Sequence, residues 1–220
     1  MELKTLGLIH TSATLIPVFQ QLCQQYLPGI TIFNIVDDSL VKNIIAQGGE
    51  VGPSIYRRVA DYVASAEDAG ADYVLVTCSS IGAAVEAAAE KVRVPVLRVD
   101  QPMADLAVKT GTRIGVIATL QTTLQPTSDL VKRRAALIGK EIDLTAKLCE
   151  GAFDALMSGD ADKHDTLVAD ALRELSKQVD VILLAQASMA RVVDALSNED
   201  KRVPIVASPP NAIQYIANLR

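Results

Sequence analysis

A chain that carries the same landmarks twice at nearly one spacing builds one structural unit twice, and this chain does so along most of its length. Asp72-Tyr-Val-Leu-Val-Thr-Cys78 returns as Asp180-Val-Ile-Leu-Leu-Ala-Gln186. By subtraction the two stand 108 positions apart, as do Gly7 and Gly115, and Pro102 and Pro210. Thr14-Leu15-Ile16-Pro17 maps onto Thr123-Leu124-Gln125-Pro126, and Val94-Pro95-Val96 onto Val203-Pro204-Ile205, both at 109. Two copies in 220 residues give units of about 100 residues each, a size that can fold alone. The chain therefore reads as two pseudo-symmetric domains rather than a solenoid.

Within each copy, short apolar runs alternate with segments of helical periodicity. Strands are expected at 3–9, 30–36, 73–77 and 94–99, and again at 113–117, 141–144, 181–185 and 203–207. Helices are expected between them, including a long one over 54–69 closed by Gly70, others between about 151 and 178, and a last one from Pro210. Such alternation with short connections predicts an α/β fold of two βαβ-type domains with parallel sheets. The first domain takes residues 1–103 and about 209–220, and the second 104–208. The active site is expected in the cleft between them, outside the carboxyl ends of the strands.

Composition narrows the function. A net charge of −5 with no basic stripe argues against nucleic acid as a partner. No apolar run reaches the roughly 18 residues of a membrane span, and the first residues lack a signal-peptide pattern, so a cytoplasmic location is expected. Three cysteines without a CxxC spacing read as free thiols in a reducing compartment. His10 and His164 stand in unrelated contexts and give a metal site little support. His164 itself reads as a solvated helix-start residue. The Gly48-Gly49 and Gly52 loop has neither nucleotide-binding glycine spacing. A homo-oligomer is compatible with the apolar content, though periodicity does not separate an interface from a core.

Chemistry is expected at the strand ends. Cys78 stands between a strand and a helix, where unsatisfied N–H groups and the helix dipole favour an anion such as a thiolate. Those groups, with the hydroxyls of Thr77, Ser79 and Ser80, could hold a substrate carboxylate. The bland alternative for any cysteine is a small buried apolar residue, which suits Cys23 and Cys149. His10 ends the first strand, followed by Thr11 and Ser12, and an imidazole there serves either as an acid/base or as a hydrogen-bonded strand terminus. Thr119, Thr122 and Thr123 form a hydroxyl cluster suited to a carboxylate, or else ordinary helix caps. Gln186 and Ser188 mark the strand end of the second copy. Asp37 and Asp38 read as caps.

With Thr77-Cys78-Ser79-Ser80 set in a twofold repeat, the chain resembles the aspartate/glutamate racemase superfamily, which includes hydantoin racemases, maleate isomerase and arylmalonate decarboxylase. The resemblance implies a cofactor-independent enzyme acting on a small carboxylate or amino acid. In that family racemases place one cysteine in each half, one thiolate removing the α-proton and the opposite thiol returning one. Cys78 matches the first cysteine, but Gln186 stands in place of the second, and an amide is neither acid nor base near neutral pH. The departure leaves three enzymatic readings: His10 as partner acid/base, a one-cysteine decarboxylase of a malonate-type acid, or a cis-trans isomerase with Cys78 as nucleophile. A non-catalytic carboxylate-binding protein is the remaining alternative.

Overall fold

A computed structural model describes residues 3–219, and within it the repeat becomes two four-stranded parallel sheets. In the first sheet β1 (Thr5–His10), β2 (Thr31–Val36), β3 (Tyr73–Val76) and β4 (Val96–Arg98) lie in the order β2-β1-β3-β4. In the second, β5 (Arg113–Ala118), β6 (Asp143–Leu148), β7 (Val181–Leu184) and β8 (Ile205–Ala207) lie in the order β6-β5-β7-β8. The ladders are in the same register: Ile9 pairs with Val76 and Ile117 with Leu184, both pairs 108 apart from their counterparts by subtraction. The first strand of each sheet sits inside it, so the chain turns one way after β1 and the other way after β2. That reversal puts a topological switch point at the β1/β3 boundary and another at β5/β7, where open α/β sheets leave a crevice for ligands.

Helices cover both faces of each sheet. The first unit has α1 (Ile16–Tyr26), α2 (Ser39–Ala46), α3 (Pro53–Asp68) and α4 (Gly82–Ala89). The second has α6 (Gln121–Leu137), α7 (Ala152–Met157), α8 (Ala161–Leu175) and α9 (Ala190–Ala195). The remaining two, α5 (Gln101–Thr110) and α10 (Ser208–Ala217), are exchanged. The chain divides into one unit running to Gln101 and resuming at Pro209, and another of Pro102–Ser208. Met103, Ala104, Ala107 and Val108 of α5 are buried with Ile114 and Val116 of β5 and Val181 of β7. Conversely, Ala212, Ile213 and Ile216 of α10 are buried with Leu6 and Leu8 of β1 and with Phe19.

The repeated aspartates pin the sheets at their amino ends. Asp72 Oδ2 accepts the Lys4 and Thr5 N–H groups at 2.9 and 2.8 Å, and Asp180 Oδ2 accepts those of Thr112 and Arg113 at 3.1 and 2.9 Å. Each carboxylate thus ties the start of the third strand to the start of the first. The backbone N–H and guanidinium of Arg113 hold the Asp180 carboxyl down to a pKa of about 2.

Several segments differ from the sequence-based expectation. β6 occupies Asp143–Leu148 rather than 141–144, because it is a half-exposed edge strand without the continuous apolar run of a central one. His164 is not solvated: on α8 it is 0% exposed, its Nδ1 lies 2.7 Å from Asp165 Oδ1, and its Nε2 has no partner. Its periodic position faces the core alongside Val168 and Leu172, which the charged residues around it in sequence conceal. Among the described residues no helix is long and apolar enough to cross a membrane. Nor is there, among them, a cluster of three or more His, Cys, Asp or Glu side chains able to hold a metal ion.

Candidate active site

At the first switch point β3 ends at Val76, and Thr77-Cys78 continue in extended conformation, Cys78 having φ −131° and ψ 119°. A 3-10 turn over Ser79–Ile81 follows and runs into α4. The second unit repeats this path: Gln186 has φ −132° and ψ 139°, and the 3-10 turn Ala187–Met189 leads into α9. The repeat thus holds at the level of backbone angles while the side chains diverge.

Cys78 is half-buried, whereas Cys23 and Cys149 are both buried. Burial pushes the Cys23 and Cys149 thiols up to about 11, which removes them as nucleophiles near neutral pH. Thr77, Ser79 and Ser80 are buried around Cys78. The 3-10 turn separates Cys78 from the first turn of α4, and the Cys78 side chain makes no capping bond to it.

His10 is 0% exposed and both ring nitrogens are engaged. Nδ1 lies 2.8 Å from Thr77 Oγ1 and Nε2 lies 2.9 Å from Asn34 Oδ1. Burial lowers the His10 pKa, and the Asn34 hydrogen bond only partly opposes that, so the ring is neutral at pH 7. A neutral ring has one N–H. An amide oxygen can only accept, so that proton sits on Nε2 facing Asn34, and Nδ1 accepts from the Thr77 hydroxyl. The Thr77 hydroxyl also donates toward Ile9 O at 3.1 Å, the carbonyl that receives the Thr77 N–H at 2.9 Å, so its one proton is shared between two acceptors. Thr11 is buried beyond His10, and half-buried Ser12 caps the 3-10 turn Ala13–Leu15, its Oγ accepting from Thr14 N–H at 3.4 Å.

At the second switch point Thr119 donates both its N–H, at 2.5 Å, and its hydroxyl, at 3.0 Å, to Gln186 Oε1. Two donors on one oxygen fix the amide orientation, since a backbone N–H cannot face an NH₂ group. Gln186 is thus left with its N–H donors for other partners, a group that binds carboxylate or carbonyl oxygen. Thr123 is buried in the first turn of α6, and Thr122 Oγ1 is buried with no partner. Ser188 lies half-buried in the 3-10 turn. The expected residues therefore gather in two sets, Cys78 with His10 and Thr77 in one unit and Gln186 with Thr119 in the other.

Sequence reasoning missed Asn34 and Arg98. Arg98, 2% exposed at the end of β4, donates to both oxygens of fully buried Asp100, Nε to Oδ1 at 2.7 Å and Nη2 to Oδ2 at 2.8 Å. Its Nη1 donates to Glu86 at 2.5 Å. Burial works against the charge, but Asp100 and Glu86 outweigh it and raise the Arg98 pKa. The guanidinium lies against Gly82, where a Cβ would come within 2.3 Å of Cζ. Register supplies the signal that reading along the chain lacks: Arg98 pairs with Val76 as Ala207 pairs with Leu184, and Gly82 corresponds to Ala190. Arginine occurs where glycine leaves room for it. Of the two aspartates expected to be caps, Asp38 occupies the N-cap position of α2 without a side-chain capping bond, and Asp37 before it accepts Ser39 N–H at 3.1 Å and Tyr62 O–H at 2.6 Å.

Residues 5–216 match the family model described as Asp/Glu/Hydantoin racemase. No curated protein matches the chain. Solved structures with a similar fold include glutamate racemase RacE1 from Bacillus anthracis, 18% identical, with a TM-score of 0.73 over 98% of this chain and 81% of that one. Allantoin racemase from Klebsiella pneumoniae is also 18% identical, at 0.72 over 98% and 87%. Aspartate racemase from Picrophilus torridus is 14% identical, at 0.70 over 98% and 94%. At these identities the structural likeness speaks to the fold alone.

Proposed function

Because this chain belongs to the Asp/Glu/Hydantoin racemase family, we propose that it is a cofactor-independent enzyme acting on a small carboxylate or amino acid, with Cys78 as its one proton-carrying group. The observation that carries this reading is the placement of a half-buried thiol at a sheet's switch point, among buried hydroxyls, while the other two cysteines are buried. Ionised, Cys78 is the base that takes a proton from the carbon beside a carboxylate; as a thiol it is the acid that returns one. Proton loss there builds enediolate charge, and oriented donors stabilise such charge without reorganising. Gln186, with its oxygen committed to Thr119, is such a donor, and Ser79, Ser80, Thr122, Thr123 and Ser188 are further candidates.

The locked amide also favours a second reading. Gln186 cannot exchange protons, so a step that needs only one proton donor fits the site directly. Decarboxylation of a malonate-type acid is such a step: CO₂ leaves, a carbanion remains, and Cys78 protonates it. Incubation with candidate amino acids and dicarboxylates in D₂O separates the readings. Deuterium at the α-carbon of recovered substrate shows enzymatic proton exchange, its appearance in the opposite enantiomer shows racemisation, and CO₂ release with a single deuterium in the product supports decarboxylation. In either case Cys78→Ser should lower turnover by about two to four orders of magnitude, since general acid–base groups typically contribute 10²–10⁴-fold, while the protein stays folded. Full activity in Cys78→Ser would sink the proposal, and binding with neither exchange nor CO₂ would point to a carboxylate-binding protein.

A further inference from the structure

The two strand ends solve one aiming problem in different ways. Gln186 has an amide that Thr119 grips directly. A cysteine side chain has only a weak hydrogen-bonding group at its tip, so its direction must come from the backbone that carries it. Thr77, immediately before Cys78, is held on two sides: its N–H on Ile9 O and its hydroxyl on His10 Nδ1, with His10 held in turn by Asn34. The second unit keeps the backbone bond, Ala185 N–H to Ile117 O at 3.0 Å, and dispenses with the rest. Register equates His10 with Ala118, Thr77 with Ala185 and Asn34 with Ala146, for Leu8 pairs with Asn34 as Val116 pairs with Ala146. All three members of the polar chain are alanine in the half that lacks the thiol.

We propose that His10, with Asn34 behind it and Thr77 before it, is a positioning residue that fixes where Cys78 points, and that it exchanges no proton with substrate. The inference rests on Cys78 being the reactive group. Burial supports it from the histidine's side: at 0% exposure, with both nitrogens occupied, the ring has no free atom to offer a ligand. The tilted Phe19 ring, its centroid 5.6 Å from that of His10, packs on the imidazole as well.

The test is the rate at which iodoacetamide alkylates Cys78 in the folded, full-length protein, located by mass spectrometry at a pH where the thiol is ionised. Thr77→Val removes the hydroxyl at constant shape and should change that rate by about threefold or more, because reaction rates respond steeply to small displacements. Thr77→Ser, which keeps the hydroxyl, should restore it. Equal rates in Thr77→Val and the parent overturn the proposal, as does a Thr77→Ser rate as altered as that of Thr77→Val. Where turnover is measurable, His10→Ala and Thr77→Val should lower kcat about tenfold or more with KM nearly unchanged, the mark of a misplaced reacting group. Loss of an ionisation from the pH–rate profile of His10→Ala would instead make the ring an acid or base and overturn the positioning role. Alkylation that depends on Thr77 in a protein that turns over no substrate retires the enzymatic reading and leaves the positioning intact.

Discussion

The Arg98 guanidinium fills the space that a side chain at position 82 would need, so the two residues form one unit of packing. Gly82→Ala should displace the buried Arg98–Asp100 pair and cost about 3–5 kcal/mol, the usual penalty for leaving a buried charge unmatched. Urea titration measures this, and the variant Gly82→Ala/Arg98→Ala should be no less stable than Arg98→Ala alone, since the clash has gone. His10 contributes a pH dependence of its own. Its folded pKa is lowered from an ordinary 6.5, so the unfolded chain binds the proton more readily. The stabilisation from the neutral ring is present above pH 6.5 and is lost as pH falls toward the folded value. Unfolding free energies between pH 7 and 5 should therefore decline less steeply in His10→Gln than in the parent. Cys78 and Gln186 were visible in sequence because they end matching apolar runs. Asn34 was not, since only the pairing of β1 with β2 brings it to His10, and nothing in the order of residues states that register.

At the scale of elements, the strands announced themselves where they are central and blurred where they are edges. β3 and β7 are apolar at every position and fell close to expectation, whereas β6 has no buried residue, Asp143 and Ala146 being exposed and the other four half-buried. α6 contains Pro126, which has no N–H to donate and so leaves the carbonyl four residues earlier, on Thr122, outside the helical ladder. The corresponding Pro17 lies in the first turn of α1, where no such bond is due. The aspartates that open β3 and β7 were seen as part of the repeat, yet their work on the neighbouring strand became apparent only with the sheets assembled. Asp180 shows the consequence: its carboxyl is held near 2 against an ordinary 3.8. It stabilises the fold above pH 3.8, and that contribution disappears as pH falls through about 2. Acid unfolding followed by circular dichroism should show Asp180→Asn less stable than the parent at neutral pH, with the difference closing toward pH 2.

At the scale of the molecule, two units could be inferred from the repeat, because so many landmarks spread along the chain do not recur by chance at nearly one offset. The chain enters the second unit through α5 and returns to the first through α10, so the last twelve or so residues complete a core that the first residues began. Burial of Ile213 and Ile216 contributes about 1.5–3 kcal/mol each, a large share of the 5–15 kcal/mol that holds a typical domain together. A chain ending at Ser208 should thus lose amide protection in β1 and β3 under hydrogen exchange while β5 and β7 keep theirs; equal loss in both sheets would show that the units do not unfold separately. The exchange of α5 and α10 also makes each repeat depend on the other. A lone repeat, cut after Thr110, would end in a helix shaped for a sheet it does not possess and would lack the helix its own sheet requires. It could bury both only by trading helices with a second copy, as the two halves of this chain do with each other.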